Sequence, residues 1–285
     1  MVTGLEDESS PSKLVSSDPQ YAFVGGLYLA AFLTPATTLL VSTVVSSAAL
    51  LYIGFLATWV VSTIVGGWTI ARVDDLALRI GNRDRYWLLT VIPFAVFVGT
   101  FVALSLGSWL PSTAVPLAMI TMITGVLFGF PFVLMSQNRH AAAVSADAVE
   151  YGQWEARWPS RWRRLSTGAL ILSMASVTVA VVAQLAFDAD WGTYFYLFAF
   201  LWTPLASTSN PRTFRVTDAG LVVERPLHRR LFSWDAFDGY SLTDDALVLN
   251  PTVWWRPKMR SDPEDVKDLD AVVSALEKAL TKRAN

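Results

Sequence analysis

The chain has no cysteine, only two histidines and little charge. The missing thiols exclude disulfides, thiolate metal sites and cysteine nucleophiles. Two imidazoles, those of His140 and His228, are too few for a metal site built from several histidines. Charged residues make up 16% of the 285 residues, whereas a typical soluble domain has roughly 25%. With hydrophobic residues at 53%, an ordinary soluble domain and a disordered chain are both excluded.

The charge deficit is concentrated in two stretches. No Asp, Glu, Lys, Arg or His occurs in residues 20–71 or in residues 86–138. A helix needs about 20 apolar residues to cross a hydrocarbon core of ~30 Å, so each stretch predicts two crossings, and the apolar residues after position 165 predict two more. The predicted fold is an α-helical membrane bundle of six transmembrane helices in three hairpins, followed by a small cytoplasmic α+β domain. The predicted crossings are Tyr21–Val44, Ala48–Ala71, Trp87–Leu110, Ala114–Met135, Ser166–Phe187 and Trp191–Ala206.

The cationic residues predict the orientation of this bundle. None of the 22 lysines and arginines falls in a predicted hairpin turn. Because short loops rich in these residues stay cytoplasmic, we expect loops 72–86 and 137–165 and both termini there, in a multi-pass protein of the cell membrane. The predicted domains are a disordered tail (1–20), the six-helix region (21–206) and a C-terminal domain (207–285).

No ionisable residue lies inside a predicted crossing. This absence argues against proton-coupled carriers, pumps and metal-dependent intramembrane hydrolases, which need such groups. An uncoupled pathway lined by Ser and Thr hydroxyls stays open as an alternative. A lipid-modifying enzyme would have to use loop residues. Those available are Asp74, Asp75, Arg79, Asp84 and Arg85, and they offer few carboxylates.

An aromatic and basic segment precedes the fifth predicted crossing. Three tryptophans recur every four residues between Tyr151 and Ser166, with four arginines among them. On a helix running from about Ala141 to Arg157 and interrupted at Pro159, this spacing predicts an indole stripe beside a guanidinium stripe. Both groups suit contact with anionic lipid headgroups, although interfacial anchoring alone uses the same residues. The candidate headgroup contacts are Trp154, Arg157, Trp158, Arg161, Trp162, Arg163 and Arg164.

Charged residues return after Asn210, and the pattern changes to short alternating segments. These predict strands, and a capped amphipathic helix is predicted from Pro263 to Lys282. The predicted strands are Thr213–Thr217, Leu221–Arg225, Arg229–Trp234, Phe237–Leu242, Ala246–Leu249 and Thr252–Met259. Alternation in the last of these places Arg256, Lys258 and Arg260 on one face as a candidate interaction surface. Pairing of this face with nearby carboxylates is the alternative.

Three segments of this domain carry a family resemblance. They are a T-x-x-G turn at Thr217–Gly220, a W-x-x-φ segment at Trp234–Phe237, and the basic run Arg256–Met259 before the last helix. The domain resembles the pleckstrin-homology-like (PH-like) domains fused to prokaryotic membrane proteins. The resemblance implies an antiparallel sheet closed by a C-terminal helix, with no catalytic residue to transfer.

Arginine outnumbers lysine 17 to 5 and aspartate outnumbers glutamate 17 to 7, a bias typical of haloarchaeal and other high-GC proteomes.

Together these patterns favour a non-enzymatic membrane protein that scaffolds or regulates through its PH-like domain. A facilitative transporter or channel for a neutral or lipid-like solute is the first alternative, and a lipid-modifying enzyme the second. We expect no cofactor, no metal and no catalytic residue. The expected partners are lipids of the anionic cytoplasmic leaflet and, through the C-terminal domain, proteins. The small-residue spacing of Ala22, Gly26 and Ala30 is compatible with a homo-oligomer. The net charge of −2 argues against nucleic acid.

Overall fold

The computed structural model divides into two compact units. The first, called the helical unit, takes in the described residues up to Ala146 and also Leu227–Arg230. The second, called the sheet unit, contains the other described residues from Asp147 onwards. The structure describes residues 18–83, 85–107, 110–111, 113–187, 195, 199, 202, 210–254 and 256–284.

The helical unit contains four long helices and one short one. Asp18 caps the first helix by accepting a hydrogen bond from the amide of Gln20 at 2.8 Å, and Pro19 occupies its first position. Ser47 caps the second helix in the same manner. The helices are α1 (Pro19–Val41), α2 (Ala48–Arg72), α3 (Leu76–Asn82), α4 (Leu88–Ser105) and α5 (Ala114–Ser145).

Five helices of the described residues are long and apolar enough to cross a membrane. They are α1, α2, α4, α5 and, in the sheet unit, α6 (Ser160–Phe187). These positions agree with the first five predicted crossings. The sixth, Trp191–Ala206, lies outside the described residues apart from 195, 199 and 202.

The helices α1 and α2 approach each other at glycines. A Cβ on Gly26 would lie 2.8 Å from the backbone nitrogen of Gly67 and even closer to the carbonyl oxygen of Thr63. Only a residue without a side chain fits this gap. Aromatic rings fill the neighbouring space, where Tyr21 stacks on Phe132 of α5 at 4.8 Å between ring centroids.

The helix α5 continues to Ser145, beyond the predicted end of its crossing at Met135. The extension is helical because α3 packs against it, and Gly81 of α3 lies directly on the backbone of Ser136. Ser136 is fully buried and receives or donates a hydrogen bond of 3.0 Å with the hydroxyl of Tyr21. This polar contact connects the C-terminal part of α5 with the first turn of α1.

The sheet unit contains two sheets with antiparallel strand pairs and, among its helices, α6 and a C-terminal helix. One sheet has four strands in the order β1-β2-β3-β4, and the other has three in the order β5-β6-β7. The strands are β1 (Glu150–Ala156), β2 (Arg212–Thr217), β3 (Leu221–Arg225), β4 (His228–Phe232), β5 (Phe237–Thr243), β6 (Ala246–Pro251) and β7 (Met259–Ser261). The helix α6 follows β1, and α7 (Leu269–Ala284) is the last element.

Strand β1 is the main departure from the sequence analysis. Residues 150–156 were expected on a helix and outside the C-terminal domain, but they pair antiparallel with β2. In this ladder Trp154 faces Phe214, and Ala156 lies opposite Arg212. The sheet is therefore built from both sides of α6, and the predicted domain boundary at residue 207 omits one of its strands.

The other corrections concern the end of the chain. The described residues 252–254 and 256–258 are not in a strand, so Arg256 and Lys258 precede β7 and only Arg260 lies in it. Asp262 and Pro263 begin a short 3-10 turn rather than the last helix. The helix α7 starts at Leu269 instead, where the Asp268 carboxylate accepts a hydrogen bond of 2.9 Å from the amide of Ala271.

Both sheets and α7 bury one hydrophobic core. Trp154 is 4% exposed and stacks on Phe214 at 5.0 Å between ring centroids, while Leu276 of α7 is fully buried. The alternating residues of the strands place their apolar side chains in this core. Those found buried are Val216, Leu221, Val223, Trp234, Phe237, Leu247 and Leu249, with Phe232 and Tyr240 partly buried beside them.

Candidate membrane-interface site

The predicted aromatic and basic segment is divided between three elements. Trp154 lies in β1, residues 157–159 form a short connection, and Arg161 to Arg164 belong to the first turns of α6. The three indoles therefore do not share one helical stripe. Trp154 is a core residue, which corrects its assignment as a headgroup contact, because a side chain that is 4% exposed has no surface to offer a lipid.

Two of the indoles remain at the start of α6 and pack with arginines. Trp158 and Trp162 meet edge to face at 5.4 Å between ring centroids. The Arg212 guanidinium lies 5.1 Å from the Trp158 ring, and that of Arg260 lies 5.4 Å from the Trp162 ring. Burial, together with the charge of Arg225, lowers the pKa of Arg212 to about 10. Arg212 therefore stays cationic at neutral pH, and its contact with Trp158 is a cation–π interaction.

Two of the predicted arginines are compensated by carboxylates. The Arg157 guanidinium binds Asp265 at 2.9 Å, and the backbone amide of Arg157 donates to the same carboxylate at 2.9 Å. Arg163 pairs with Asp262 at 3.6 Å. The hydrogen bond from Arg157 holds the pKa of Asp265 below its usual value. These pairs fasten the 3-10 turn after β7 to the segment that leads into α6.

The other two arginines of α6 lie in an exposed groove. Arg161 and Arg164 are exposed, and neither makes an ion pair with a residue that the structure describes. Both line a groove with a volume of about 1040 Å³ between the start of α6 and the second sheet. Lys258 and Arg260 line the opposite wall of this groove.

The predicted basic face is therefore only partly retained. Lys258 and Arg260 contribute to the groove, whereas Arg256 is not among its lining residues. The groove is also lined by four carboxylates, so its carboxylates and cations are equal in number; they are those of Asp244 and Asp245 at the turn between β5 and β6, Asp262 and Glu264. Sequence reasoning considered Asp244 and Asp245 as carboxylates that could pair with the basic face, but not as residues of a ligand site. It did not indicate that α6 lies opposite them.

The loops of the helical unit show a weaker arrangement. Asp74 and Asp75 are exposed, and Asp84 lies outside the described residues. Within the described part of the chain, no three His, Cys, Asp or Glu side chains are grouped closely enough to hold a metal ion. A cavity beside Tyr21 and Ile70 has a volume of about 10 Å³, room for about one water molecule. The sheet unit has a second cavity of about 640 Å³, lined by residues of β1 and by Asp265 and Val272. The groove beside α6 has the larger volume of the two, and several of the cations that line it make no ion pair with a described residue.

Comparisons of the chain with protein-family models, with curated proteins and with solved structures find no match. The function is therefore argued from the geometry of the two units and of the groove.

Proposed function

We propose that the chain is a non-enzymatic integral membrane protein whose sheet unit is a PH-like domain, held at the cytoplasmic membrane surface as an interaction and scaffolding module. The observation that carries this proposal is the pairing of β1 with β2 on either side of α6. A domain built in this way stays beside the membrane through two covalent connections. It needs no lipid affinity to remain there.

The same pairing supports six crossings. Helix α6 has 28 residues, which at 1.5 Å per residue is about 42 Å and exceeds the hydrocarbon core of ~30 Å. The chain leaves the sheet at Ala156 and returns at Arg212, its partner in the ladder. Both ends of the intervening chain must then lie on one side of the membrane, which requires a return crossing after α6. The apolar segment available for it is Trp191–Ala206.

The arrangement of strands supports the PH-like assignment. The antiparallel strands are followed by the C-terminal helix α7, which agrees with the sheet and closing helix that the resemblance implies. The motif residues also meet. The Trp234 indole donates a hydrogen bond of 2.9 Å to the carbonyl of Thr217, and the Thr217 hydroxyl donates one of 2.7 Å to the carbonyl of Gly220. Gly220 has a φ of 153°, which side chains rarely adopt.

The cytoplasmic location and the lipid partners rest on charge. The arginines of α6 all lie in its first turns, at the end that follows β1. Cations prefer the cytoplasmic side of a crossing, so this end of α6 is assigned to the cytoplasm. Each cation beside an anionic leaflet contributes about 1 kcal/mol to membrane association.

Cross-linking in native membranes tests the scaffolding role. Trp154→Ala should disrupt the sheet unit, whereas Gln153→Ala changes an exposed neighbour on the same strand. Proteins cross-linked to the wild type should be retained by the Gln153 variant and lost from the Trp154 variant. No cross-linked protein with the wild type, or the same set with the Trp154 variant, would contradict the proposal.

A further inference from the structure

Three cations that line the groove beside α6 make no ion pair with a described residue, whereas neighbouring arginines do. Arg157 and Arg163 are close in sequence to residues that line the groove, and they are paired with Asp265 and Asp262. In the described part of the chain Arg161 and Arg164 have no such partner, and neither has Lys258 on the opposite wall. Cations that reach one space from two elements can each donate a charge-assisted hydrogen bond to the same phosphate. The carboxylates that line the groove balance the charge of its cations, so a suitable ligand carries hydrogen-bond donors as well as a phosphate.

The position of the groove indicates where its ligand comes from. Arg161 and Arg164 are three residues apart on α6 and so lie on one face of the helix. The helix becomes apolar from Leu165, which also lines the groove. In a crossing helix the last cations before the apolar stretch lie among the lipid headgroups. The groove therefore opens at headgroup depth, with apolar surface on its membrane side.

We propose that this groove binds the phosphate of a phospholipid headgroup from the leaflet in which α6 begins. The phosphate lies between Arg161, Arg164 and Lys258, and the acyl chains run along α6 past Leu165. This inference rests on the proposed function, because it requires α6 to be in the membrane.

The carboxylates in the groove restrict the headgroup further. Asp244 and Asp245 line the same space and would repel a second phosphate. They accept hydrogen bonds from hydroxyl or ammonium groups attached beyond the phosphate. Phosphatidylglycerol offers such hydroxyls and phosphatidylethanolamine such an ammonium, whereas the trimethylammonium group of phosphatidylcholine donates no hydrogen bond. The groove should therefore prefer phosphatidylglycerol and phosphatidylethanolamine to phosphatidylcholine.

The test uses the purified full-length protein in detergent and native mass spectrometry with added lipid. The wild type should retain one phosphatidylglycerol molecule more tightly than phosphatidylcholine. Arg161→Gln, Arg164→Gln and Lys258→Gln should each weaken this binding by about tenfold, the effect of losing one charge-assisted hydrogen bond. Lys258 is decisive, since general attraction of the α6 arginines to lipid does not require a lysine from the segment before β7.

Matched controls remove the same charges elsewhere. Lys267→Gln changes an exposed lysine of the sheet unit outside this groove, and Arg83→Gln changes an exposed arginine after α3. Neither should alter lipid retention. Equal losses in the controls and the groove variants, or equal binding of phosphatidylcholine and phosphatidylglycerol, would overturn the site.

Two further measurements separate the remaining outcomes. If free glycerol phosphate displaces the lipid at the same concentration, the ligand is a soluble phosphate and the lipid assignment is wrong. Alkaline carbonate extraction of the source membranes tests the proposed function itself. Protein released by carbonate contradicts membrane insertion, whereas protein that stays in the membrane but retains no lipid contradicts only the groove.

Discussion

The environment of Trp154 explains why a tryptophan that looks interfacial in sequence is structural. Its ring stacks on Phe214 within the core, and its indole nitrogen has no hydrogen-bond partner among the described residues. The side chain thus contributes through packing and burial. A buried N–H without a partner even costs free energy.

Two substitutions at Trp154 separate these effects. Trp154→Ala should lower the free energy of unfolding of the sheet unit by ~3–5 kcal/mol, because it leaves a large cavity. Trp154→Phe should cost much less, since it keeps a ring and removes the unsatisfied N–H. Thermal unfolding of the full chain in detergent, with Gln153→Ala as the control, measures both. A Phe variant as unstable as the Ala variant would show that the indole nitrogen has a partner.

Asp265 gives the sheet unit a predictable response to acid. The hydrogen bond from Arg157 lowers its pKa below the ordinary value of 3.8, so the charged carboxylate stabilises the fold above that pH. The contribution is lost as the pH falls below 3.8 and the carboxylate takes up a proton. Arg157 is 47% exposed, so salt should weaken the pair.

The measurement compares the wild type with Asp265→Asn. The variant should unfold at a lower temperature at pH 7, and the difference should shrink as the pH falls below 3.8. Asp238→Asn alters an exposed carboxylate and serves as the control. A stability difference that grows on acidification would contradict the direction of the pKa shift.

The limits of sequence reasoning are clearest for single residues that depend on distant partners. The arginines at the start of α6 could be predicted from their position beside an apolar run. Which of them are neutralised could not, because Asp262 and Asp265 reach Arg163 and Arg157 only through the folded sheet. Lys258 and the α6 arginines line the same groove, and this proximity also depends on the tertiary structure.

At the scale of elements, helices were predicted more reliably than strands because apolar runs are local. Strand β1 was misread because tryptophans four residues apart favour a helix, while its real signal is the inward alternation of Trp154 and Ala156. A strand of seven residues that pairs along one edge is not stable without its partner strand. Their partner β2 follows a whole membrane helix, so no local window contains both strands.

The membrane segment between β1 and β2 should be replaceable. Because Ala156 and Arg212 are ladder partners, a short glycine-serine linker in place of residues 158–210 closes a tight loop at little entropic cost. A variant of residues 147–285 with this replacement should be soluble and give a dispersed proton–nitrogen NMR spectrum. Residues 210–285 alone, which lack β1, should not. Equal dispersion from both would show that β1 is dispensable.

The contact between α1 and α2 is sensitive to a single methyl group. Gly26→Ala should destabilise the helical unit by about 1–3 kcal/mol, since the new Cβ would meet the backbone of Thr63 and Gly67. Gly54→Ala is the matched control, because no atom lies within 4 Å of the position of its added Cβ. Denaturation in detergent followed by circular dichroism compares them. If both variants behave alike, the two helices do not pack closely in the membrane.

At the scale of the whole molecule, the absence of cysteine allows the topology to be tested with single introduced thiols. Ser47, before α2, should lie outside, and Ser274, on α7, should lie in the cytoplasm. A membrane-impermeant maleimide applied to intact cells should label Ser47→Cys and leave Ser274→Cys unlabelled until the cells are opened. The reverse pattern would contradict the orientation inferred from the cations.

The separation of β1 from β2 by a membrane segment also has a consequence for biosynthesis. During translation, at about 5–20 residues per second, β1 emerges several seconds before β2, and the intervening α6 has meanwhile to enter the membrane. Trp154 stays uncovered throughout, because Phe214 has not yet been synthesised. In the proposed six-crossing topology, the sheet can close only after the chain has returned to the side of the membrane on which β1 lies. A chain whose hairpin fails to insert correctly therefore keeps an exposed indole and an unpaired strand, features that chaperones and proteases recognise in unfinished proteins.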